Sequence, residues 1–169
     1  VDLRYVDLQQ QTSRFAHAAK ALIAADQTQS VQTESPQTPR VATLLGRVPE
    51  LYVSALGTIK AGGVLTPLFS AFGPEPIRQR LDLGQINILV TTKAHFHRKI
   101  KPMLSELSTL RFVVLVGAET PPEGDQTVRV IAFDELLESA TDDPFVAVTK
   151  PDDPALLHFT SGTTGTPKG

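Results

Sequence analysis

Between residues 6 and 25, Leu8, Phe15, Ala19, Leu22 and Ile23 fall along one helical face, with Gln, Arg and Lys elsewhere, so an amphipathic helix is expected. From 26 to 40 the period is lost. That stretch is rich in Gln, Thr and Ser, carries Pro36 and Pro39, and is expected to be a surface loop or partly disordered insertion. Val41-Ala42-Thr43-Leu44-Leu45 then forms a buried-strand run. Pro49 opens a second helix, with Leu51, Tyr52, Ala55, Leu56 and Ile59 as its expected inner stripe and Gly62-Gly63 as its end.

The alternation continues. Residues 64–67 form a short strand closed by Pro67, and Pro74 and Pro76 bracket the start of a helix that runs through Leu83 and stops at Gly84. A strand at 86–91 leads to a helix at 93–107 capped by Thr92, and a strand at 111–116 follows. After a turn-rich loop at 119–126 come a strand at 128–131 and a short helix at 134–138. An acidic, proline-marked connection then leads to a last run, Ala155-Leu156-Leu157-His158-Phe159, expected to be an interior parallel strand. Short Val/Ile/Leu strands alternating with amphipathic helices predict an α/β fold, a doubly wound and mostly parallel sheet with helices on both faces. No internal repeat interrupts that pattern.

Composition narrows the function more than the fold. The 169 residues suffice for about one domain, and 41% hydrophobic with 20% charged residues is ordinary globular composition. A net charge of −2 and a pI near 6.1 argue against a nucleic-acid or anionic-membrane partner, either of which wants a basic face. No apolar stretch approaches membrane-span length, and the first residues lack a signal-peptide layout, so a cytoplasmic location is expected. The absence of cysteine excludes disulfides, thiolate metal sites and cysteine nucleophiles. A start on valine and an end within a glycine-rich run make the chain read as a fragment.

The candidate chemistry lies in the last ten residues, Thr160-Ser161-Gly162-Thr163-Thr164-Gly165-Thr166-Pro167-Lys168-Gly169. A strand that empties into a glycine-rich, hydroxyl-rich, lysine-tipped loop suits a polyphosphate. Glycines admit close approach of backbone N–H groups, and lysine supplies a point charge. The run is not a Walker A loop, because Pro167 stands where glycine would precede the lysine and Gly169 where a hydroxyl would follow. Elsewhere the candidates are weaker. His95 and His97 lie on different helical faces and read as a solvated helix start rather than a metal pair. His158 reads as a packed strand histidine, and Asp142-Asp143 and Asp152-Asp153 as solvated loop acids. No Ser-His-Asp order with a nucleophile elbow is present.

The terminal run T-S-G-T-T-G-T-P-K-G resembles the phosphate-binding signature of the AMP-forming, adenylate-forming enzymes, among them acyl- and aryl-CoA synthetases, luciferases and peptide-synthetase adenylation domains. Two more segments fit that family in order. Leu3-Arg4-Tyr5-Val6-Asp7-Leu8 resembles its first core motif, L-[ST]-Y-x-E-L, with Arg4 and Asp7 as departures. Ile59-Lys60-Ala61-Gly62-Gly63-Val64-Leu65-Thr66-Pro67-Leu68 resembles the second. The stretch 67–81 and the entry Leu156-Leu157-His158-Phe159-Thr160 are most similar to the acetyl-CoA synthetases and related short-chain acyl-CoA ligases. Phe69 stands where amino-acid-activating domains usually carry an acid.

The resemblance implies ATP with Mg²⁺, CoA as co-substrate, and a small carboxylic acid joined first to AMP and then to the CoA thiol. It assigns the phosphates to Thr160, Ser161, Gly162, Thr163, Thr164, Gly165, Thr166 and Lys168. It also implies that residues 1–169 are one part of a larger adenylation domain, with its catalytic residues beyond 169 and the fragment inactive alone. Other readings left open by the residues are a medium-chain, aryl or amino acid as substrate, or a truncated, non-catalytic phosphate-binding module.

Overall fold

The computed structural model describes residues 3–29, 38–120, 122, 127–160 and 168–169, the side chains of 27–29 excepted. Five parallel strands form one sheet in the order β2-β1-β3-β4-β5, with β1 at Arg40–Leu44, β2 at Val64–Pro67, β3 at Ile88–Thr92, β4 at Phe112–Val116 and β5 at Arg129–Ala132. Register places Val41 beside Leu65 and Ile88, and Ile88 beside Phe112. Helices cover both faces. Against one, α1 (Tyr5–Gln29), α2 (Pro49–Lys60) and α5 (Phe133–Glu138) bury Phe15, Ala19, Val53 and Leu136 on Val41, Ile88, Val90 and Val114. Against the other, α3 (Pro74–Leu83) and the helical stretch that follows β3 bury Ile77, Leu81, Phe96 and Ile100 on Ala42, Leu44, Leu89 and Val113. The alternation of faces along each strand is the period-two pleat, and the doubly wound expectation is met.

Several boundaries differ from expectation for definable reasons. Helix α1 runs on to Gln29, past the point where the apolar period ends, and part of the polar 26–40 stretch (30–37) lies outside the described residues. Gln has good intrinsic helix propensity, so loss of apolar period did not mean loss of helix. After β3, Thr92 caps as expected, its Oγ1 accepting from the His95 N–H at 3.2 Å. The helix then passes from α4 (Lys93–His95) into a π segment (Phe96–Ile100) and a 3₁₀ segment (Lys101–Glu106). Pro102 accounts for this. It lacks an N–H and its ring crowds the carbonyl four residues back, so the backbone changes pitch around it.

The inner face of α2 is not the expected one. Tyr52, Leu56 and Ile59 are exposed (55%, 43% and 45%), whereas Val53, Ser54, Gly57 and Thr58 are buried. The period is helical, but small residues face inward because α1 lies directly on them. A Cβ at Gly57 would stand 2.8 Å from the Phe15 Cβ. Close helix approach thus decided the buried face against raw hydrophobicity.

The ends of α2 and α3 share one design. Gly62 takes φ +70°, its N–H reaches the Ile59 carbonyl, and the Gly63 N–H reaches that of Thr58 at 2.9 Å. This is a Schellman closure, built from the Lys60-Ala61-Gly62-Gly63 segment as expected. At α3 the left-handed position falls on Gln85 (φ 50°) rather than on Gly84, with Gln85 N–H on Asp82 O and Ile86 N–H on Leu81 O. Gly84 is helical, and its hydrogen matters for space: a Cβ there would lie 2.8 Å from the Arg80 carbonyl oxygen.

Candidate phosphate-binding segment

The approach to the glycine-rich run crosses the edge of the sheet. Ala147 N–H donates to the Lys60 carbonyl at the end of α2 (2.7 Å). Leu65 of β2 then donates to Ala155 O (2.9 Å) and accepts from Leu157 N–H (2.8 Å), so Leu156 lies parallel to β2 on its outer side. The expected interior strand is therefore a single bridge at the sheet edge, and Leu156 is 57% exposed. Pro67 explains the brevity, since a proline has no N–H to extend the ladder. Running parallel to β2, the chain leaves toward the carboxyl rim, the side on which ligands bind in open α/β sheets. The reversal of strand order falls between β1 and β3, so Leu156 lies two strands from that switch point.

At the rim, Thr160 N–H donates to Lys168 O at 2.9 Å and Lys168 N–H donates to Thr160 O at 3.3 Å. They form an antiparallel hydrogen-bonded pair, so their side chains share one face. Both are exposed. Gly169 packs onto the outgoing arm, where a Cβ would meet Leu157 Cδ1 at 2.7 Å and Phe159 Cε1 at 3.1 Å. Of the candidate residues, Thr160 and Lys168 are thus brought together. Ser161, Gly162, Thr163, Thr164, Gly165 and Thr166 lie outside the described residues.

Beneath this pair lies a cluster that sequence reasoning did not single out. The Arg80 guanidinium of α3 sits 4.4 Å from the centroid of Phe72 and 5.9 Å from that of Phe159. Lys99 Nζ donates to the carbonyls of Ser70 (2.6 Å) and Phe72 (2.8 Å), fixing the loop after β2. The available signal was the Phe72 and Arg80 pair within 67–81; that Phe159 returns beside it is a tertiary fact.

The remaining candidates separate clearly. His158 is exposed, not packed. His97 is exposed, while His95 is half-buried with its Nδ1 buried and without a hydrogen-bond partner among the described residues. Burial, then Lys99 and Arg98, hold its imidazole below the ordinary histidine value. Asp143 and Asp153 serve turns, accepting from Thr141 Oγ1 and from Lys150 N–H at 2.8 Å. A cavity of about 660 Å³ opens elsewhere, among α1, α2 and α5, lined by Asp7, Arg14, Glu50, Asp134 and Glu138. Its acidic lining would repel a polyphosphate. Among the described residues no helix is long and apolar enough to cross a membrane, and no cluster of three or more metal-ligating side chains occurs.

A family model described as AMP-binding enzyme matches residues 2–169. The chain is 35% identical over 130 residues to the acetyl-coenzyme A synthetase of Bacillus subtilis (strain 168), covering 77% of this chain and 22% of that protein. It is 31% identical over 135 residues to the long-chain-fatty-acid–CoA ligase ACSBG1 of Rattus norvegicus, covering 76% and 18%. The chain thus spans about a fifth of the length of these relatives. Among solved structures, the acetoacetyl-CoA synthetase from Streptomyces lividans superposes with a TM-score of 0.78 at 24% identity, covering 99% of this chain and 25% of that one, which shows a common fold.

Proposed function

The chain belongs to the AMP-binding enzyme family, and on that footing we propose that residues 1–169 are the amino-terminal part of an ATP-dependent ligase that activates a carboxylic acid as acyl-AMP and passes it to the thiol of CoA. The observation that carries this reading is the match of residues 2–169 to the family model together with a Thr160–Lys168 pair at the carboxyl rim. In the first step a substrate carboxylate oxygen attacks the α-phosphorus of ATP, the bond to the bridging oxygen breaks, and pyrophosphate leaves with its negative charge. The task for this segment is to grip the β- and γ-phosphates while that charge develops, which is a matter of positioned donors rather than covalent chemistry.

We assign the grip to the backbone N–H groups and hydroxyls of Thr160, Ser161, Gly162, Thr163, Thr164, Gly165 and Thr166, with the Lys168 ammonium beside the departing pyrophosphate. Mg²⁺ would come with ATP as substrate, and hydroxyl oxygens are the hard donors such an ion takes. As acid we favour acetate or another short-chain carboxylate, on the 67–81 segment, Phe69 and the 35% identity to an acetyl-coenzyme A synthetase. A long-chain ligase among the relatives keeps chain length as the variable to measure.

The test is acid-dependent exchange of labelled pyrophosphate into ATP by the full-length polypeptide, across acetate, propionate, butyrate, octanoate, palmitate and benzoate. The expected result is exchange that depends on added acid and is greatest for the shortest acids, and that falls severely in Gly162→Val and Gly165→Val. Absence of exchange with every acid, or undiminished exchange in both variants, overturns the reading.

A further inference from the structure

The Thr160–Lys168 pair stands at the end of a thinly held arm. Leu65 provides the last sheet hydrogen bond at Leu157, and His158 is exposed. Among the described residues, the contacts of the arm beyond the sheet include those of the Phe159 ring. One neighbour is the Arg80 guanidinium at 5.9 Å from its centroid, and Gly169 is another, close enough that a Cβ would touch Phe159 Cε1 at 3.1 Å. Arg80 is itself held on two sides. Its Nη1 donates to the Pro76 carbonyl one turn back in α3 (2.9 Å), and its guanidinium lies over Phe72 at 4.4 Å. Phe72 is in turn anchored by Lys99 through its carbonyl and by an edge-to-face contact with Phe69 at 5.7 Å.

We infer that Arg80 is a positioning residue for the Thr160–Lys168 pair: its guanidinium, lying over the rings of Phe72 and Phe159, sets where that pair stands at the rim. The consequence for catalysis rests on the ligase reading above; the structural coupling does not. A planar cation over two aromatic rings suits this role because it satisfies the quadrupole of each face while its N–H groups remain free for backbone carbonyls. Arg80 acts through Phe159 and contacts no substrate.

Two measurements test this. In the full-length polypeptide, Arg80→Met and Phe159→Leu should each speed amide hydrogen exchange at Thr160 and Lys168 while leaving β1 and β3 amides protected, and Arg80→Lys, which keeps the charge but not the planar guanidinium, should retain only part of the protection. Unchanged exchange at Thr160 and Lys168 in Arg80→Met, or equal loss throughout the sheet, overturns the inference whatever the enzyme does. In the full-length polypeptide, either single variant should lower kcat for pyrophosphate exchange by about tenfold, the order expected when reacting groups are slightly misplaced. The double variant should lose no more than either single, because both act through one contact. Losses that multiply in the double variant would give Arg80 a separate role and sink the proposal. A wild type without exchange would sink the ligase reading alone, the amide measurement still deciding for Arg80.

Discussion

Arg4 and Asp7, the two departures from the first family-like motif, are bonded to each other. Arg4 Nε and Nη2 donate to the two Asp7 oxygens at 2.8 Å, and the Arg4 backbone N–H donates to Asp7 Oδ2 at 3.2 Å. Arg4 precedes the first residue of α1, so the last of these bonds is the returning half of a capping box, with Asp7 at the position Glu would hold. The motif pattern L-[ST]-Y-x-E-L has the residues of a complete box. Here an ion pair replaces the hydroxyl half. Asp7→Ala should therefore speed hydrogen exchange of the first-turn amides of α1. The double change Arg4→Ser with Asp7→Glu should restore protection by rebuilding the box. Protection unaltered in Asp7→Ala would show the cap to be idle.

The α1–α2 crossing depends on the missing side chain at Gly57. A Cβ there would lie 2.8 Å from both Cβ and Cδ1 of Phe15 and 3.0 Å from the Thr12 carbonyl oxygen. Phe15 Cβ and Thr12 O are tied to the α1 backbone and cannot swing aside. Gly57→Ala gains about 1 kcal/mol of helix propensity but incurs overpacking of about 1–3 kcal/mol. The expected outcome is a net loss of up to about 2 kcal/mol in urea unfolding, larger for Gly57→Val. A stabilised Gly57→Ala would mean the helices separate freely.

Gln85 carries the strain that glycine usually relieves at a helix end. Its φ of 50° is left-handed, a conformation that costs an ordinary L-residue about 1–2 kcal/mol. Gly at this exposed position gives back about 0.5–1 kcal/mol through the entropy of the unfolded chain. Gln85→Gly should thus raise stability by about 0.5–1 kcal/mol, read as a higher denaturation midpoint at unchanged m. Gly84→Ala should do the reverse, because its Cβ would press on the Arg80 carbonyl.

The apolar stripe of α2 gives a prediction of a different kind. Tyr52, Leu56 and Ile59 recur at helical spacing on an exposed face, and Val146, Val148 and Leu156 are exposed as well. Contiguous exposed apolar surface drives association, so the isolated chain should self-associate with rising concentration. Leu56→Glu with Ile59→Lys should shift it toward monomer in sedimentation velocity. A concentration-independent monomer from the unaltered chain would contradict this.

The fold was legible where one contact partner sufficed to define an element. Val/Ile/Leu runs located all five strands within two residues, and Gly62-Gly63 marked a helix end, because both signals are local. What escaped was decided between elements. The inward face of α2 follows from Phe15 of α1, and the pairing of Leu156 outside β2 follows from the strand order that leaves β2 at the sheet edge. At the candidate site, the sequence named the run from Thr160 to Lys168 through glycine, hydroxyl and lysine chemistry. It gave no view of Arg80 beside Phe159, since nothing local to either residue announces the other.

Asp82 sets a pH dependence of unusual sign. Its Oδ1 is buried without a hydrogen-bond partner among the described residues, while Oδ2 accepts from Arg78 Nη1 at 3.2 Å. Arg78 is shared with Glu75 at 2.7 Å and Glu106 at 3.7 Å. Burial raises the Asp82 carboxyl above its ordinary value; Arg78 opposes this, and Glu106 and Glu75 add to it. A folded-state value above the unfolded one means the native protein holds the proton more tightly. The stabilisation is complete below the unfolded value, about 4, and is lost as pH rises through the folded value. Asp82→Asn removes that slope. In urea unfolding across a pH series, the variant should gain on the wild type as pH rises from about 4. Asn keeps an oxygen that can accept from Arg78 Nη1, so what this half-buried pair loses is the charge alone. A difference that moves the other way, with the wild type gaining as the carboxyl ionises, would mean that Arg78 outweighs burial at this site.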